Sequence, residues 1–253
     1  MRPGVGLIGR KLGMTHLFEP DGRPMPVTVL EAGPCPVVQE KTVEKDGYRA
    51  VQLGFGEADA KELTKPLAGH FAKRQVAAAQ VLREFRLAKD EKAEVGSTVT
   101  VEIFKPGDRV DVTGRSIGKG FSGGVKRWHW KGGDQTHGSM THRRPGSIGS
   151  STTPSRVFKG HHMPGHMGDR TVTTQAMVVI RVDAAQNLLM LKGSVPGSDE
   201  ALVLIRRSMK PPKVARPAQQ PKKNKAAAQQ AGAKPAAKPA AKPAAAPAAK
   251  KKA

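Results

Sequence analysis

Arg109-Val110-Asp111-Val112-Thr113-Gly114-Arg115-Ser116-Ile117-Gly118-Lys119-Gly120 begins as one kind of chain and ends as another. Apolar and polar residues alternate through Thr113, the two-residue period of a half-buried strand. Past Gly114 that period vanishes, and more than 50 residues follow that are dense in Gly, poor in aliphatic side chains and basic. The strand pattern returns only after Arg170, in residues 172–182. Strand signal on both sides makes 114–170 an insertion into one β domain. A loop of this length inside a compact domain is either functional or disordered. Low-complexity disorder does not normally include Phe121, Trp128, Trp130 and Phe158. We read the insertion as an extended arm ordered by its partner.

Outward from this stretch, short apolar runs are set off by Gly and Pro. Residues 5–8 and 14–18 flank a turn-like Gly9-Arg10-Lys11-Leu12-Gly13. Residues 26–30, 36–41 and 49–55 read as strands, with Lys45-Asp46-Gly47 as a hairpin turn. Leu67, Phe71 and Val76, after Pro66, predict one or two short helices within 57–80. Residues 81–87 fit a strand or a helix end. Residues 98–104 and 109–113 resume the strand signal around the turn Lys105-Pro106-Gly107-Asp108. Residues 172–182 and 188–192, joined by a turn at 183–187, and residues 201–205 complete the set. Many short strands at near-regular spacing predict a mainly β fold, a barrel or a sandwich, with a small helical segment.

The 253 residues carry a formal net charge of +22, unevenly placed. Residues 206–253 hold +14 with no acid, residues 119–170 hold +7, and all the rest hold +1. A nearly neutral body with two basic appendages calls for a polyanionic partner. In residues 211–253 the unit Lys-Pro-Ala-Ala recurs from Lys234, Lys238 and Lys242. Pro at every fourth position forbids a regular helix and nothing apolar is available to bury, so this segment is expected to be disordered. The expected organisation is one domain over 1–209, with the arm inserted, and a Lys/Pro/Ala-rich tail over 210–253. The single cysteine, Cys35, has no partner for a disulfide, suits a reducing compartment and reads as an ordinary thiol. No apolar segment follows Met1-Arg2-Pro3-Gly4 and no run of 18 apolar residues exists. Neither a signal peptide nor a membrane span is therefore expected, and the expected place is the cytoplasm.

Chemistry concentrates in the arm. Lys126-Arg127-Trp128-His129-Trp130-Lys131 sets aromatic faces among cations. Lys and Arg neutralise phosphates, while Trp and His stack on unpaired bases at roughly 1–3 kcal/mol each. On a strand, positions 128 and 130 would share one face beside the cations. The competing reading makes both Trp core residues of the insertion. The remaining candidates for contact with a nucleic acid are Lys119, His137, His142, Arg143, Arg144, Ser147, Ser150, Arg156, Lys159, His162 and His166.

Other constellations fall short. Gly114-Arg115-Ser116-Ile117-Gly118-Lys119-Gly120 is one residue too short for a P-loop, and Gly120 stands where Ser or Thr would bind magnesium. His137 with His142, or His162 with His166, has zinc-like spacing, but no Cys lies near and the arm's acids are only Asp134 and Asp169. Ser147, Ser150 and Ser151 lie near His142 without an orienting acid or a nucleophile elbow. No catalytic residue, metal, cofactor or small-molecule substrate is expected. A nucleoid- or RNA-coating protein would need only the tail. An RNA-modifying enzyme would need a catalytic constellation that is missing. Two Trp and six His in a Gly-patterned loop exceed what a generic polycation requires.

The same residues resemble a known family. Gly120-Phe121-Ser122-Gly123-Gly124-Val125-Lys126-Arg127-Trp128, Thr136-His137-Gly138-Ser139, His142-Arg143 and Pro145-Gly146-Ser147-Ile148-Gly149 look like the signature of bacterial large-subunit ribosomal protein three. Thr153-Pro154, Arg156-Val157-Phe158-Lys159-Gly160 and Met163-Pro164-Gly165-His166-Met167-Gly168 continue it in order. Leu7-Ile8-Gly9-Arg10-Lys11-Leu12-Gly13-Met14-Thr15, Leu189-Met190-Leu191-Lys192-Gly193 and Val195-Pro196-Gly197 are similar to its two ends. The resemblance spans about residues 1–209. It implies a translation-factor-type β-barrel with an extended loop that binds large-subunit rRNA near its 3′ region, early in assembly. It further implies a loop directed inward towards the peptidyl transferase centre, and neighbouring large-subunit proteins as partners. Some relatives carry a methylated Gln after the Ser-Ile-Gly turn. That position is Ser150 here, so this modification is excluded. The tail falls outside the family pattern.

Residues 211–253 have cations but no aromatic or Gly-patterned companions, so counterion release should dominate their binding. Truncation after Lys210 is expected to flatten the salt dependence of rRNA binding while leaving the preference for a cognate rRNA fragment intact. Loss of that preference in a competition assay contradicts the reading.

Overall fold

The computed structural model describes residues 4–59, 61, 63–88, 91 and 93–210; apart from Lys210, the expected tail lies outside them. In chain order the elements are β1 Leu7–Phe18, β2 Pro24–Ala32, β3 Cys35–Lys41, the one-turn helix α1 Val43–Asp46, β4 Ala50–Glu57, α2 Lys65–Arg74 and β5 Ala79–Arg86. There follow β6 Thr98–Val99, a 3-10 turn Val101–Ile103, β7 Arg109–Arg115, β8 Phe121–Ser122, α3 Gly124–Trp128, β9 Gly165–His166, β10 Thr171–Asp183, β11 Leu188–Lys192 and β12 Leu202–Arg207. Six strands close an antiparallel barrel in the order β1-β12-β7-β10-β11-β2, and a second sheet runs β5-β4-β3-β6. The fold is mainly β, with a barrel as its centre.

Alternation explains the barrel. Val110 and Val112 of β7, Leu189 and Leu191 of β11, and Val203 and Ile205 of β12 are buried, while their neighbours in sequence are more open. Leu7 and Ile8, adjacent and so on opposite faces of β1, are both fully buried. The strand is therefore covered on both sides there. One apolar cluster joins these barrel residues to Val51, Leu53 and Phe85 of the second sheet. A smaller cluster of Val38, Phe71 and Ala79 seats α2, whose first turn contains Pro66. There the missing N–H is harmless, because the first helical amides have no partner within the helix.

Lys11 is buried, a position the sequence did not single out. Its ammonium donates to the carbonyls of Gly197 (3.0 Å) and Val195 (3.4 Å), which tethers the loop before β12 to the barrel. These acceptors offset the cost of removing a cation from water. Cys35 is also buried, its S–H donating to the Ile8 carbonyl (3.4 Å), and desolvation pushes its thiol up to about 11. It stays protonated at neutral pH, in keeping with an ordinary thiol.

Several local expectations are corrected. The turn expected at residues 9–13 is the middle of one continuous strand, interrupted by a bulge between Lys11 and Gly13. Gly9 is there for contact, not for turning: a methyl group at that position would run into the Glu31 carbonyl oxygen of β2. The strand expected over 98–104 ends at Val99 and gives way to the 3-10 turn. Residues 81–86 belong to a strand, β5, with Leu87 just past its end, and the connection at Lys45–Gly47 is a helical turn closed by Gly47 at φ 77°.

Leu189 is fully buried in the barrel. Leu189→Ala is expected to lower unfolding free energy by about 2–5 kcal/mol, as large-to-small core substitutions do. Urea denaturation checks the loss; a change under 1 kcal/mol contradicts the packing described.

Candidate nucleic-acid interface

The arm grows out of the barrel without a break in its hydrogen bonding. β7 and β10 pair up to Arg115 and Thr171. The Ser116 N–H then donates to the Arg170 carbonyl (2.9 Å) and the Asp169 N–H to the Ser116 carbonyl (3.0 Å). Further out, the Lys119 N–H donates to Met167 (2.8 Å) and the Met167 N–H to Gly120 (2.9 Å), before Phe121 pairs with His166 and Ser122 with Gly165. An Arg115–Asp169 ion pair braces the root, with Nη2 to Oδ2 at 2.9 Å. A long loop is thus launched from a rigid two-stranded stem.

Beyond the stem, α3 and the returning chain lock together. The Arg127 guanidinium and the Trp128 indole N–H both donate to the Met163 carbonyl, at 2.7 and 2.8 Å. The Trp128 ring lies flat on His162, with centroids 3.9 Å apart and planes 2° off parallel. The Arg127 guanidinium sits 5.0 Å from the Trp128 ring. Trp130 folds back over Gly124, where even a methyl group would overlap the indole.

This corrects the shared-face expectation for the two Trp. Trp128 ends a helix, His129 turns the chain at φ 59°, and Trp130 faces back onto the start of that helix. Six residues were too few to distinguish a strand from one helical turn with its cap. Both indoles make contacts within the arm, yet Trp128 remains 36% exposed and neither indole belongs to a buried apolar cluster. His162 is likewise spent on Trp128 on one face.

The distal segment, residues 131–162, is almost wholly exposed. Its first loop is closed by the Gly133 N–H donating to the His142 carbonyl (3.1 Å) and by the His142 ring bonding the Asp134 carbonyl (2.8 Å). Ser147 donates to the Gly149 carbonyl (2.7 Å), and Arg156 lies 5.3 Å from the Phe158 ring. Lys119, Lys126, His129, Lys131, His137, Arg143, Arg144, Ser150, Lys159 and His166 are exposed. Among the described residues, no ion pair engages any cation from Lys119 to Lys159. The charge of the arm is therefore uncompensated along its whole outer course. Nor do three His, Cys, Asp or Glu side chains gather anywhere among the described residues as a metal would require.

Sequence reasoning missed the arm's root. Arg83 of β5, Arg115 of β7 and Arg170 line a cleft of about 830 Å³ with Ser116, Gly118 and Leu204. Arg83 and Arg170 are distant in sequence, one on the second sheet and the other just before β10 of the barrel, so only the packing of the second sheet against the barrel brings them to one cleft. Met163 was also unreadable, because its role belongs to its carbonyl and not to its side chain.

A neutral barrel that holds out one braced, cationic arm defines a class of protein that presents an extension to a partner instead of enclosing a substrate. A sequence model of the family described as Ribosomal protein L3 matches residues 57–187. The chain is 52% identical over 205 residues to the large ribosomal subunit protein uL3 of Geobacter metallireducens, covering 81% of this chain and 98% of that one. It is 50% identical over 206 residues to the uL3 of Geobacter sulfurreducens, with coverage of 81% and 98%. For the uL3 of Heliobacterium modesticaldum the figures are 52% over 205 residues, with coverage of 81% and 97%. The chain belongs to the ribosomal protein L3 family.

Both tryptophans of the protein lie at this neck, so their emission reports on it alone. Gly124→Ala is expected to displace Trp130, shift the emission to longer wavelength and leave the far-UV dichroism of the barrel unchanged. Unaltered emission contradicts the Trp130–Gly124 contact.

Proposed function

We propose that this protein is a structural constituent of the large ribosomal subunit, not an enzyme, and that it binds large-subunit rRNA directly through the arm. The single observation that carries the reading is the row of exposed arm cations without carboxylate partners. Such charges are positioned for phosphates, and phosphate contacts fix register and orientation. The half-exposed Trp128–His162 stack leaves aromatic surface for an unpaired base or a sugar.

The finer reading follows the family resemblance. The protein binds near the 3′ region of the rRNA, early in assembly, beside neighbouring large-subunit proteins in the cytoplasm. Residues 142–153 form the arm's deepest part and approach the peptidyl transferase centre. They lie midway along the arm and are rich in small and polar side chains that suit crowded RNA.

Cosedimentation with large subunits through a high-salt wash tests the assignment, and loss of the chain in the wash refutes it. Arg143→Ala combined with Arg144→Ala tests the interface. Each phosphate contact adds about 0.7–0.9 to the slope of log affinity against log salt, so the double variant is expected to reduce that slope by roughly 1.5. An unchanged slope for binding to the rRNA fragment removes these two side chains from the interface.

A further inference from the structure

Past Lys11, β1 loses one of its two neighbours. β12 pairs with β1 only from Leu7 to Arg10. The last bonds on that side are Lys11 N–H to the Ala201 carbonyl (3.0 Å) and Glu200 N–H to the Lys11 carbonyl (2.7 Å). β2 continues on the other side as far as the pair Phe18–Pro24. Among the described residues, no strand lies against residues 12–18 on the side that β12 has left.

Which backbone groups face that open side follows from β2. Pro24 and Pro26 have no N–H, and the Pro26 carbonyl accepts from Gly193 (3.0 Å), on the β11 side. Bonded and non-bonded pairs alternate in an antiparallel ladder. The bonded pairs are therefore Gly13–Val29, Thr15–Val27 and Leu17–Met25. Met14, His16 and Phe18 turn their N–H and C=O groups towards the empty side.

The side chains there match that backbone. Leu12, Met14 and Phe18 are 46%, 51% and 74% exposed, while Met25 and Val27 of the facing strand are buried inwards. Leu12-Gly13-Met14-Thr15-His16-Leu17-Phe18 contains no Asp, Glu, Lys or Arg, in a chain where those residues make up 25%. Proteins that leave a strand edge in water usually blunt it with Lys, Pro or an inward charge. This edge has none of these devices. An RNA backbone would find no cation here, in contrast to the arm. An extended peptide would find both its requirements: alternate backbone groups and an apolar outer face.

We propose that residues 12–18 of β1 are a docking edge for an extended strand of a neighbouring protein, which adds to the sheet and covers Met14 and Phe18. At about 3.4 Å per residue the edge is roughly 24 Å long, room for a strand of ordinary length. The proposal rests on the reading of the chain as a large-subunit constituent.

Amide exchange, resolved by residue in the full chain, tests it in the free protein and in salt-washed large subunits. Gly13, Thr15 and Leu17 exchange slowly in both. Met14, His16 and Phe18 exchange fast in the free protein and at least tenfold slower in the subunit. His16→Pro removes an outward donor without touching the ladder to β2, so its barrel stays folded while Met14 and Phe18 lose their protection in the subunit. Uniform slowing across residues 12–18 overturns the proposal in favour of coverage by RNA. Alternating protection that grows with concentration of the free chain overturns it in favour of a second copy. A chain present in washed subunits whose Met14, His16 and Phe18 exchange as in the free protein overturns the docking edge alone. Absence of the chain from washed subunits overturns the large-subunit reading and the docking edge together.

Discussion

The pairing of β7 with β10 is the constraint on which the rest of the structure depends. It closes one seam of the barrel and also aims the arm. A slip of one residue would exchange the faces of every side chain along it. Val110 and Val112 would leave the barrel interior, and Arg127 would no longer meet the Met163 carbonyl. The register is pinned by a local irregularity. Between Thr174 and Met177 the pairing shifts, Ala176 takes a left-handed conformation at φ 57°, and its N–H donates to the Asp111 carboxylate (2.7 Å). A bulge held by a side chain of the opposite strand cannot migrate without breaking that bond. The barrel thereby fixes the angle at which the arm departs.

Holding the arm is a problem of entropy. Ordering each residue costs on the order of 1–2 kcal/mol of backbone freedom, and the arm has few aliphatic side chains to offset it. The neck answers this by concentrating contacts. One carbonyl, that of Met163, receives two donors, one of them charged, while an indole stacks on an imidazole and a second indole lies on a glycine. Charged donors make the stronger hydrogen bonds. Past the neck such contacts thin out to single bonds such as His142 to Asp134 and Ser147 to Gly149. The inner arm is thus held by its own contacts, and the outer arm has few of them.

Much of this was legible in the sequence, and the rest failed for identifiable reasons. Period-two alternation located most strands, and loss of period located the insertion between β7 and β10. Charge placement marked the arm as the exposed, uncompensated element. Glycine misled in both directions. Gly9 and Gly13 suggested a turn, whereas Gly9 is set by the approach of the Glu31 backbone, a contact between strands that no local pattern encodes. Gly124 passed as one glycine among many in the arm, whereas it seats Trp130. The two Trp read as free faces because a single helical turn leaves no periodic signature. The Arg83–Arg170 cleft depends on packing between the two sheets, the role of Met163 on pairing across the stem, and the buried Lys11 on a loop far along the chain.

The neutrality of the barrel is as informative as the charge of the arm. Exposed charges act over about 8–10 Å at physiological ionic strength. Cations spread over a barrel would attract RNA to its whole surface without selecting an orientation. Charges carried on an arm act wherever its stem points. Leaving the barrel near zero then frees its surface for contacts of another kind. The uncharged outer edge of β1 and the unpaired cations of the arm thus belong to different elements: net charge is concentrated in the arm, while open backbone pairing groups lie on the barrel.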